Sequence, residues 1–208
     1  MSPTSRTSGR ERLLAAAEVA FRERGYVSVS MQEIAEAAGV TKGAPYHHFA
    51  DKEQLLAEVF VRVMERQQQV AANIMAQEAP LRERLIKVVD YLLTAAGSEL
   101  ARLPGEVMQH IAPGRLTKLR AGITSPVRIF ELAFERCRDD LGGAPAGPAA
   151  QLFVALVLGH IHLMNLRNVL DVESAGEPVS AARIVGAFTA ALSQYRPDRE
   201  PDSADITQ

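Results

Sequence analysis

The amino-acid sequence predicts an all-α protein of about nine helices. Hydrophobic residues make up 47% of the 208 residues and charged residues 23%, which is the balance of a folded chain and not of a disordered one. Apolar residues recur three and four positions apart along most of the chain, the spacing that gives a helix one buried face. No segment alternates apolar and polar residues for long enough to predict a β-strand. Trp is absent, so the core is expected to be mainly aliphatic.

Side chains that can cap a helix precede several of these apolar stripes. Ser8 and Glu11 are three residues apart, as in a capping box, and Gly25 is placed to end the first helix. Ser30 and Glu33 repeat the spacing before a second helix. In such a box each side chain satisfies a backbone N–H group that the helix leaves unpaired. The sequence therefore predicts two well-defined helix starts near the N-terminus.

A tight turn follows the second helix. Gly39 can adopt the left-handed conformation that ends a helix, and Thr41 is predicted to cap a third. Asp51, with Gln54 three residues on, then caps a fourth helix that is predicted to end at about Met75. Two short helices joined by a glycine turn form a helix-turn-helix, which commonly places its second helix in the major groove of DNA. A helical hairpin that merely packs is the alternative.

The rest of the chain is predicted to be helical with interruptions. Residues 98–140 have a helical pattern that prolines break several times. Ser125 and Pro126 fit a new helix start and a kink in one long helix equally well. Two apolar helices are predicted near the end, one at residues 149–170 and one capped by Ser180.

Composition indicates in which cell compartment the protein acts and which kinds of partner it can bind. The single cysteine, Cys137, cannot form an intramolecular disulfide, and no basic and apolar leader opens the chain, so we expect a cytoplasmic protein. The longest apolar run, residues 152–158, is too short to cross a bilayer, so no membrane association is expected. A net charge of −2 does not exclude DNA binding, since a local basic face is sufficient. Two histidines and four basic side chains could supply this face, the latter being Arg6, Arg10, Lys42 and Lys52.

Residues 30–49, SMQEIAEAAGVTKGAPYHHF, are followed directly by ADKEQLL. This pattern resembles the N-terminal domain of the tetracycline-repressor (TetR) family of bacterial transcriptional regulators, over about residues 10–60. The resemblance implies an all-α homodimer, with a helix-turn-helix DNA-binding domain at residues 1–52 and a helical effector-binding and dimerisation domain at residues 53–208. Such a protein is most often a repressor that a small apolar effector releases from a near-palindromic operator. No cofactor is expected.

The resemblance, together with side-chain chemistry, implies a set of DNA contacts at and around the third helix. Ser30 and Thr41 can hold phosphates, and Lys42 can reach a guanine edge or a phosphate. Tyr46 resembles the family's phosphate-contacting phenol, and Lys52 resembles its clamp on the DNA backbone. The predicted DNA-contacting residues are Ser30, Thr41, Lys42, Gly43, Ala44, Tyr46, His47 and Lys52.

Pro45 departs from the aliphatic residue that the family usually has at this place. If Thr41 caps the third helix, Pro45 falls at the fourth helical position and removes one hydrogen bond. The start of the helix is then expected to be 3₁₀-like. Phe49, by contrast, is expected to pack inside.

The last two helices are predicted to form a dimer interface. The helix around residues 152–164 is apolar nearly all round and must therefore bury two faces, and Gly159 permits close helix approach. The last helix has a similar surface of small residues. Together they predict a four-helix interface between two copies, the alternative being an ordinary buried helix in a monomer.

An apolar effector pocket is expected among the central helices. Leu, Met and Phe stripes are more often simply core, and a DNA-binding protein without an effector is therefore the alternative function. In that case the C-terminal domain serves dimerisation or a protein partner. The candidate lining residues are Tyr91, Leu103, Met108, His110, Phe130, Phe134 and Met164.

Residue spacing argues against an enzyme and against a metal site. No Ser-His-Asp order, Cys-His constellation, glycine-rich phosphate loop or close carboxylate pair rises above chance, so no catalytic residue is assigned. His160 and His162 lie two positions apart on a helix and point about 200° from each other, so they cannot chelate one ion. Cys137 is expected to be a small packing residue, or, if exposed, one that could sense oxidants.

Overall fold

The computed structural model describes residues 8–96, 103–115, 125–170 and 179–195. These residues form α-helices, one 3₁₀ helix and their connections, and no β-strand occurs among them, so the all-α prediction is confirmed. The elements are α1 (Gly9–Arg24), α2 (Met31–Ala37), α3 (Ala44–His48), α4 (Lys52–Met75), α5 (Leu81–Ala96), α6 (Leu103–His110), α7 (Pro126–Glu135), the 3₁₀ helix (Arg138–Leu141), α8 (Ala146–Leu170) and α9 (Ala181–Ser193).

The chain divides into two compact units. The N-terminal unit comprises the described residues of Met1–Val70 and Thr94–Thr124, and the C-terminal unit those of Ala71–Leu93 and Ser125–Gln208. Helix α4 is continuous and supplies residues to both units. The functional boundary expected between residues 52 and 53 stays a prediction, because packing and function need not divide a chain at the same residue.

Local capping determines where α1 and α4 begin. The Ser8 hydroxyl oxygen accepts a hydrogen bond from the N–H of Glu11 at 3.2 Å, and Gly25, with φ of 77°, ends α1. The Asp51 carboxylate accepts a hydrogen bond from the N–H of Gln54 at 2.7 Å. Both predicted caps are therefore present, since each depends only on residues three positions apart.

Two later helices begin without a side-chain cap. Ser125 precedes α7 in an extended conformation and Pro126 occupies the first turn, so the Ser-Pro pair starts a new helix and does not kink a long one. Ser180 has the backbone conformation of an N-cap for α9, but its hydroxyl accepts no capping hydrogen bond. Helix α8 begins at Ala146, slightly before the predicted start at residue 149.

The core of the N-terminal unit combines α1, α2 and the first half of α4 with a helix from much later in the chain. Leu103 and Val107 of α6, and Ile111 just after it, are buried in the same cluster as the residues of the first four helices. The sequence did not predict this packing, because α6 is separated from α1 by most of the first hundred residues. The buried cluster includes Leu13, Leu14, Phe21, Ile34, Phe49, Leu55, Leu56, Val59, Leu103, Val107 and Ile111.

The core of the C-terminal unit is built around four phenylalanines. The ring centroids of Phe130 and Phe153 are 4.7 Å apart, those of Phe153 and Phe188 are 5.2 Å apart, and Phe134 lies 5.8 Å from Phe188. Such separations are those of well-packed aromatic pairs. The cluster joins α7, α8 and α9, which all contribute buried side chains.

Helix α8 is apolar along most of its length. Its segment Ala146–Met164 is long and apolar enough to cross a membrane, by length and composition alone, a test that the core helix of a folded domain also passes. Phe153, Val154 and Val157 are buried in the core of the C-terminal unit. Leu158 and Leu163 instead face outward, with 53% and 59% of their surfaces exposed.

Polar contacts join the residues that follow α6 to the start of α4 within the N-terminal unit. The guanidinium of Arg115 donates two hydrogen bonds to the Asp51 carboxylate, at 2.7 and 3.0 Å. Glu53 accepts a third from the N–H of Ala112 at 2.8 Å. The Arg115 hydrogen bond lowers the pKa of Asp51 below its ordinary value. The two-point geometry fixes direction as well as distance.

We expect Arg115→Gln to destabilise the N-terminal unit at pH 7 by no more than about 1 kcal/mol, because both partners are partly exposed and the pair is screened by solvent. Since the pKa of Asp51 is lower in the folded state, the pair stabilises the fold above about pH 4 and loses this effect as the pH falls further. The difference between wild type and variant in urea unfolding should therefore narrow from pH 7 to pH 3.

The control for this experiment is Arg82→Gln, which removes an exposed arginine with no ion pair among the described residues. It should leave the free energy of unfolding unchanged at every pH. A gap between wild type and Arg115→Gln that stays constant down to pH 3 would show that Asp51 is not the titrating partner.

Candidate nucleic-acid interface

Helix α2 begins with a complete capping box. The N–H of Ser30 donates to the Glu33 carboxylate at 2.7 Å, and the Ser30 hydroxyl accepts from the N–H of Glu33 at 3.2 Å. Hydrogen bonds from Ser30 and from Arg24 lower the pKa of Glu33 to about 2. The carboxylate therefore remains ionised, and the box remains formed, throughout the neutral range.

The turn after α2 has the geometry that glycine permits. Gly39 has φ of +63°, the left-handed region that other residues rarely adopt. Its N–H donates to the carbonyl of Glu36, and the N–H of Val40 donates to the carbonyl of Ala35, each at 3.0 Å. These two bonds form a Schellman motif, so the predicted glycine turn is confirmed.

Helix α3 begins two residues later than the sequence predicted. Its N-cap is Gly43 and not Thr41, and no side chain caps it, so the expected role of the Thr41 hydroxyl as a cap is wrong. The reason is Pro45, which fits the second position of a helix, where its missing N–H would have no partner in any case. The expectation that Pro45 removes a hydrogen bond is wrong for the same reason.

The predicted 3₁₀ character of this helix start is nevertheless present. The N–H of Ala44 donates to the carbonyl of Thr41 at 2.9 Å, and the N–H of Tyr46 donates to that of Gly43 at 3.2 Å. Both bonds span three residues, which is the 3₁₀ spacing. The tight turn brings residues 41–43 onto the front of α3.

Helix α3 has one buried and one exposed side. Pro45 and Phe49 are buried, and Phe49 therefore packs inside as predicted. Tyr46 is 58% exposed. Ala44 is half-buried, whereas the predicted DNA-contacting residues that are exposed at α3 are Thr41, Lys42, Gly43, Tyr46 and His47.

The two predicted lysine contacts lie in different environments. Lys42 is exposed and makes no ion pair among the described residues. Lys52 is half-buried, with its ammonium nitrogen 4.2 Å from the ring centroid of Tyr26 and 3.4 Å from the carbonyl oxygen of Val27, to which it donates. Partial burial lowers the pKa of Lys52 below its ordinary value.

Arg10, which was expected on the basic face, and the nearby Arg12 are both engaged within the fold. Arg10 forms an ion pair with Glu58 and lies over the ring of Phe49, 5.5 Å from its centroid. Arg12 donates to the carbonyls of Ala38 and Gly39 at 3.2 and 3.3 Å, and so satisfies acceptors at the end of α2. Arg6 lies outside the described residues. The positive face is therefore narrower than composition suggested.

The role of Arg12 was missed in the sequence. Its partners are 26 and 27 residues away along the chain, so no short-range spacing signals the contact.

The seven candidate effector residues are divided between the two units. Leu103 is buried in the N-terminal core, Met108 is exposed, and the ring of His110 lies 4.9 Å from that of Tyr26. Phe130 and Phe134 belong to the aromatic cluster of the C-terminal unit. Tyr91 and Met164, also in the C-terminal unit, are both half-buried. Ligand binding by these residues stays a prediction.

No three His, Cys, Asp or Glu side chains within the described parts of the chain are arranged to hold a metal ion. His160 is half-buried, and its Nε2 atom lacks a hydrogen-bond partner there. His162, two positions on, is exposed.

Comparison with known proteins identifies the same segment. The model of the family described as "Bacterial regulatory proteins, tetR family" matches residues 13–59, which run from α1 into α4. The transcriptional repressor KstR2 of Rhodococcus jostii (strain RHA1) is 32% identical over 121 residues, which cover 56% of this chain and 59% of that protein. The match thus spans about three fifths of the length of this curated relative.

Solved structures extend the likeness beyond the N-terminal segment. A transcriptional regulator of Streptomyces coelicolor A3(2) superimposes with a TM-score of 0.64 at 26% identity, covering 90% of this chain and 99% of that one. The complex of SmeT with triclosan superimposes with a TM-score of 0.59 at 27% identity, covering 88% of this chain and 90% of that one. SmeT is described as the repressor of the Stenotrophomonas maltophilia multidrug efflux pump SmeDEF.

All three proteins are named as transcriptional regulators or repressors, and none as an enzyme. The helix-turn-helix, the match to residues 13–59 and the likeness of the whole fold agree with one another. Residues 13–59 of the chain match the TetR family of bacterial regulatory proteins, and the wider fold is similar to that of a transcriptional regulator.

Proposed function

We propose that this chain is a homodimeric, DNA-binding transcriptional repressor that inserts α3 into the major groove of a near-palindromic operator. The observation that supports this most directly is the exposed front of α3, where Lys42 makes no ion pair with any described residue and Tyr46 is a largely exposed phenol. A regulator of this kind acts in the bacterial cytoplasm, which also suits a chain with one cysteine.

The front of α3 is thin enough for close approach to DNA. A methyl group added at Gly43 would meet no atom within 4 Å, so this part of the surface is open. Ala44 adds only a methyl group of its own. The DNA backbone can therefore come near this end of α3 without a bulky side chain between them.

The side chains around this front have the chemistry that DNA contacts require. Lys42 can donate to a guanine edge or a phosphate, and the hydroxyls of Tyr46 and Thr41 can donate to phosphates. Ser30, exposed at the start of α2, can add a further phosphate contact. His47 lies beside Tyr46, and Lys52 is proposed to reach the DNA backbone from the edge of the unit.

We expect the double variant Lys42→Ala/Tyr46→Ala to lose sequence-specific DNA binding, by at least about a hundredfold, because it removes one charged and one hydroxyl contact. The measurement is a gel-shift titration at about 0.15 M salt, since phosphate contacts depend on ionic strength. The DNA is a fragment that the wild-type protein selects from a random pool.

The matched control is Lys87→Ala/Tyr195→Ala, which removes the same two side-chain types from exposed positions of the C-terminal unit. It should bind as tightly as wild type. Unchanged affinity of the Lys42→Ala/Tyr46→Ala protein, with its fold intact by circular dichroism, would remove α3 as the DNA-reading helix.

Dimerisation is proposed through α8 and α9. Leu158 and Leu163 are exposed apolar side chains near the two edges of the outward side of α8, and the opposite side of this helix is already buried. Gly159 and Gly186 have open space at the position of a side chain, which lets a second copy approach closely. Small and apolar faces of two helices per copy are suited to a four-helix interface.

The variant Leu158→Glu/Leu163→Glu is expected to be monomeric, because it places four like charges in the interface between two copies. Sedimentation equilibrium would show the mass of one chain where the wild type shows two. Leu132→Glu on α7, a leucine of similar exposure outside the proposed interface, should remain dimeric. A dimeric double variant would place the interface elsewhere.

The effector is proposed to be a small apolar molecule. A similar fold binds triclosan in the SmeT complex, and that likeness supports a ligand site in this chain. Of the candidate residues, Tyr91, Phe130, Phe134 and Met164 lie in the C-terminal unit. Leu103, Met108 and His110 lie in the N-terminal unit, where α6 and the residues after it contact the start of α4.

The alternative, a DNA-binding protein without an effector, is favoured if no apolar compound releases the selected DNA.

Release from DNA is proposed to operate through α4. This helix runs without a break from the end of the helix-turn-helix to Met75, and the Arg115–Asp51 contact joins the segment that follows α6 to its start. Movement of α6 or α4 on effector binding would displace the two reading helices of a dimer. Successive major grooves are about 34–36 Å apart, so a small displacement prevents both helices from binding at once.

A further inference from the structure

Arg84 is a buried cation in the C-terminal unit. Only 9% of its surface is exposed. No other charged residue in the described part of the chain is buried. One guanidinium nitrogen donates to the carbonyl oxygen of Met75 at 2.7 Å, while the buried Nε has no hydrogen-bond partner among the residues that the structure describes. No carboxylate forms an ion pair with it in the described part of the chain. The charge is therefore incompletely compensated.

The other terminal nitrogen of Arg84 points at a thiol. It lies 3.1 Å from Sγ of Cys137, which is placed between the end of α7 and the 3₁₀ helix. Cys137 is partly exposed and is the single cysteine of the sequence. Cys137 is thus partly open to solvent, while its sulfur contacts a buried guanidinium.

The arrangement favours a strong hydrogen-bond acceptor at this sulfur, such as the oxygen of an oxidised form. A guanidinium stays charged at any pH that a protein tolerates, and a buried charge is costly unless an anionic or strongly accepting partner is near. The carboxylates next along the chain, Asp139 and Asp140, are exposed and therefore screened by water.

We propose that Cys137 is a site of oxidation by hydroperoxides, with Arg84 binding the oxidised sulfur. The sulfur attacks the terminal oxygen of the peroxide, an S–O bond forms and the O–O bond breaks. The departing oxygen takes up the thiol proton and leaves as water or an alcohol. The sulfur is oxidised by two electrons and the peroxide is reduced by two, which gives a sulfenic acid. Its oxygen accepts a hydrogen bond from Arg84 far better than the thiol does.

Oxidation at this place has a structural consequence. Arg84 also holds the carbonyl of Met75, the last residue of α4, and a sulfenate competes for the same guanidinium. The end of α4 should loosen when the sulfur is oxidised. The chain has no second cysteine to form an internal disulfide, so reversal requires a thiol from solution, through a mixed disulfide.

The experiment exposes the full-length protein to hydrogen peroxide and follows the intact mass together with labelling by dimedone, a reagent for sulfenic acids. Wild type should gain one oxygen atom at Cys137 and become labelled, and dithiothreitol should restore the original mass. Amide hydrogen exchange should increase around Met75 on oxidation. Arg84→Gln should oxidise at least about threefold more slowly, because the guanidinium beside the sulfur is lost.

Arg82→Gln, which removes an exposed arginine of the same helix, should oxidise like wild type, and Cys137→Ser should not be labelled. Arg84→Lys tests the same point if Arg84→Gln does not fold, and should also react more slowly than wild type. The proposal is overturned if native Cys137 resists peroxide that oxidises the same protein in urea. Equal rates in wild type and a folded Arg84 variant would overturn it as well.

Discussion

The left-handed turn at Gly39 is the constraint on which the candidate interface depends. It ends α2, turns the chain and presents the front of α3 to solvent while Phe49 packs beneath. Two backbone bonds close the turn, and Arg12 supports it by donating to the carbonyls of Ala38 and Gly39. A side chain at this position would strain the backbone, so glycine here is a geometric requirement.

The surrounding elements hold this turn in place by different physical means. The capping box at Ser30 fixes where α2 starts, and burial of aliphatic side chains holds α1, α2 and α4 together. Helix α6 joins the same core, and the Arg115–Asp51 contact fastens the residues after it to α4. Helix α3 itself is short, with five residues, and is therefore positioned by its neighbours and not by its own stability.

Local features of this fold could be predicted from the sequence because local chemistry decides them. The caps at Ser8, Ser30 and Asp51 and the turn at Gly39 each involve residues within a few positions of each other. Thr41 is the exception, and the reason is also local. Proline is best placed in the first turn of a helix, so Pro45 moved the start to Ala44, and the preference of threonine for a cap had no effect.

Contacts between distant parts of the chain could not be predicted in this way. The ion pair of Arg10 with Glu58 neutralises a charge that composition had assigned to a basic face. The burial of Leu103 in the N-terminal core and the approach of Arg84 to Cys137 join residues that no periodicity links. For the candidate interface, the exposed residues of α3 were predicted individually, whereas the half-buried position of Lys52 against Tyr26 was not.

Selection of DNA from a random pool by the wild-type protein tests most directly whether α3 reads DNA as part of a pair. A dimer of such helices should enrich an inverted repeat, with half-site centres one helical turn or about 34–36 Å apart. Failure to enrich any sequence at physiological salt, or enrichment of one isolated half-site by a protein that is dimeric in solution, would contradict that claim.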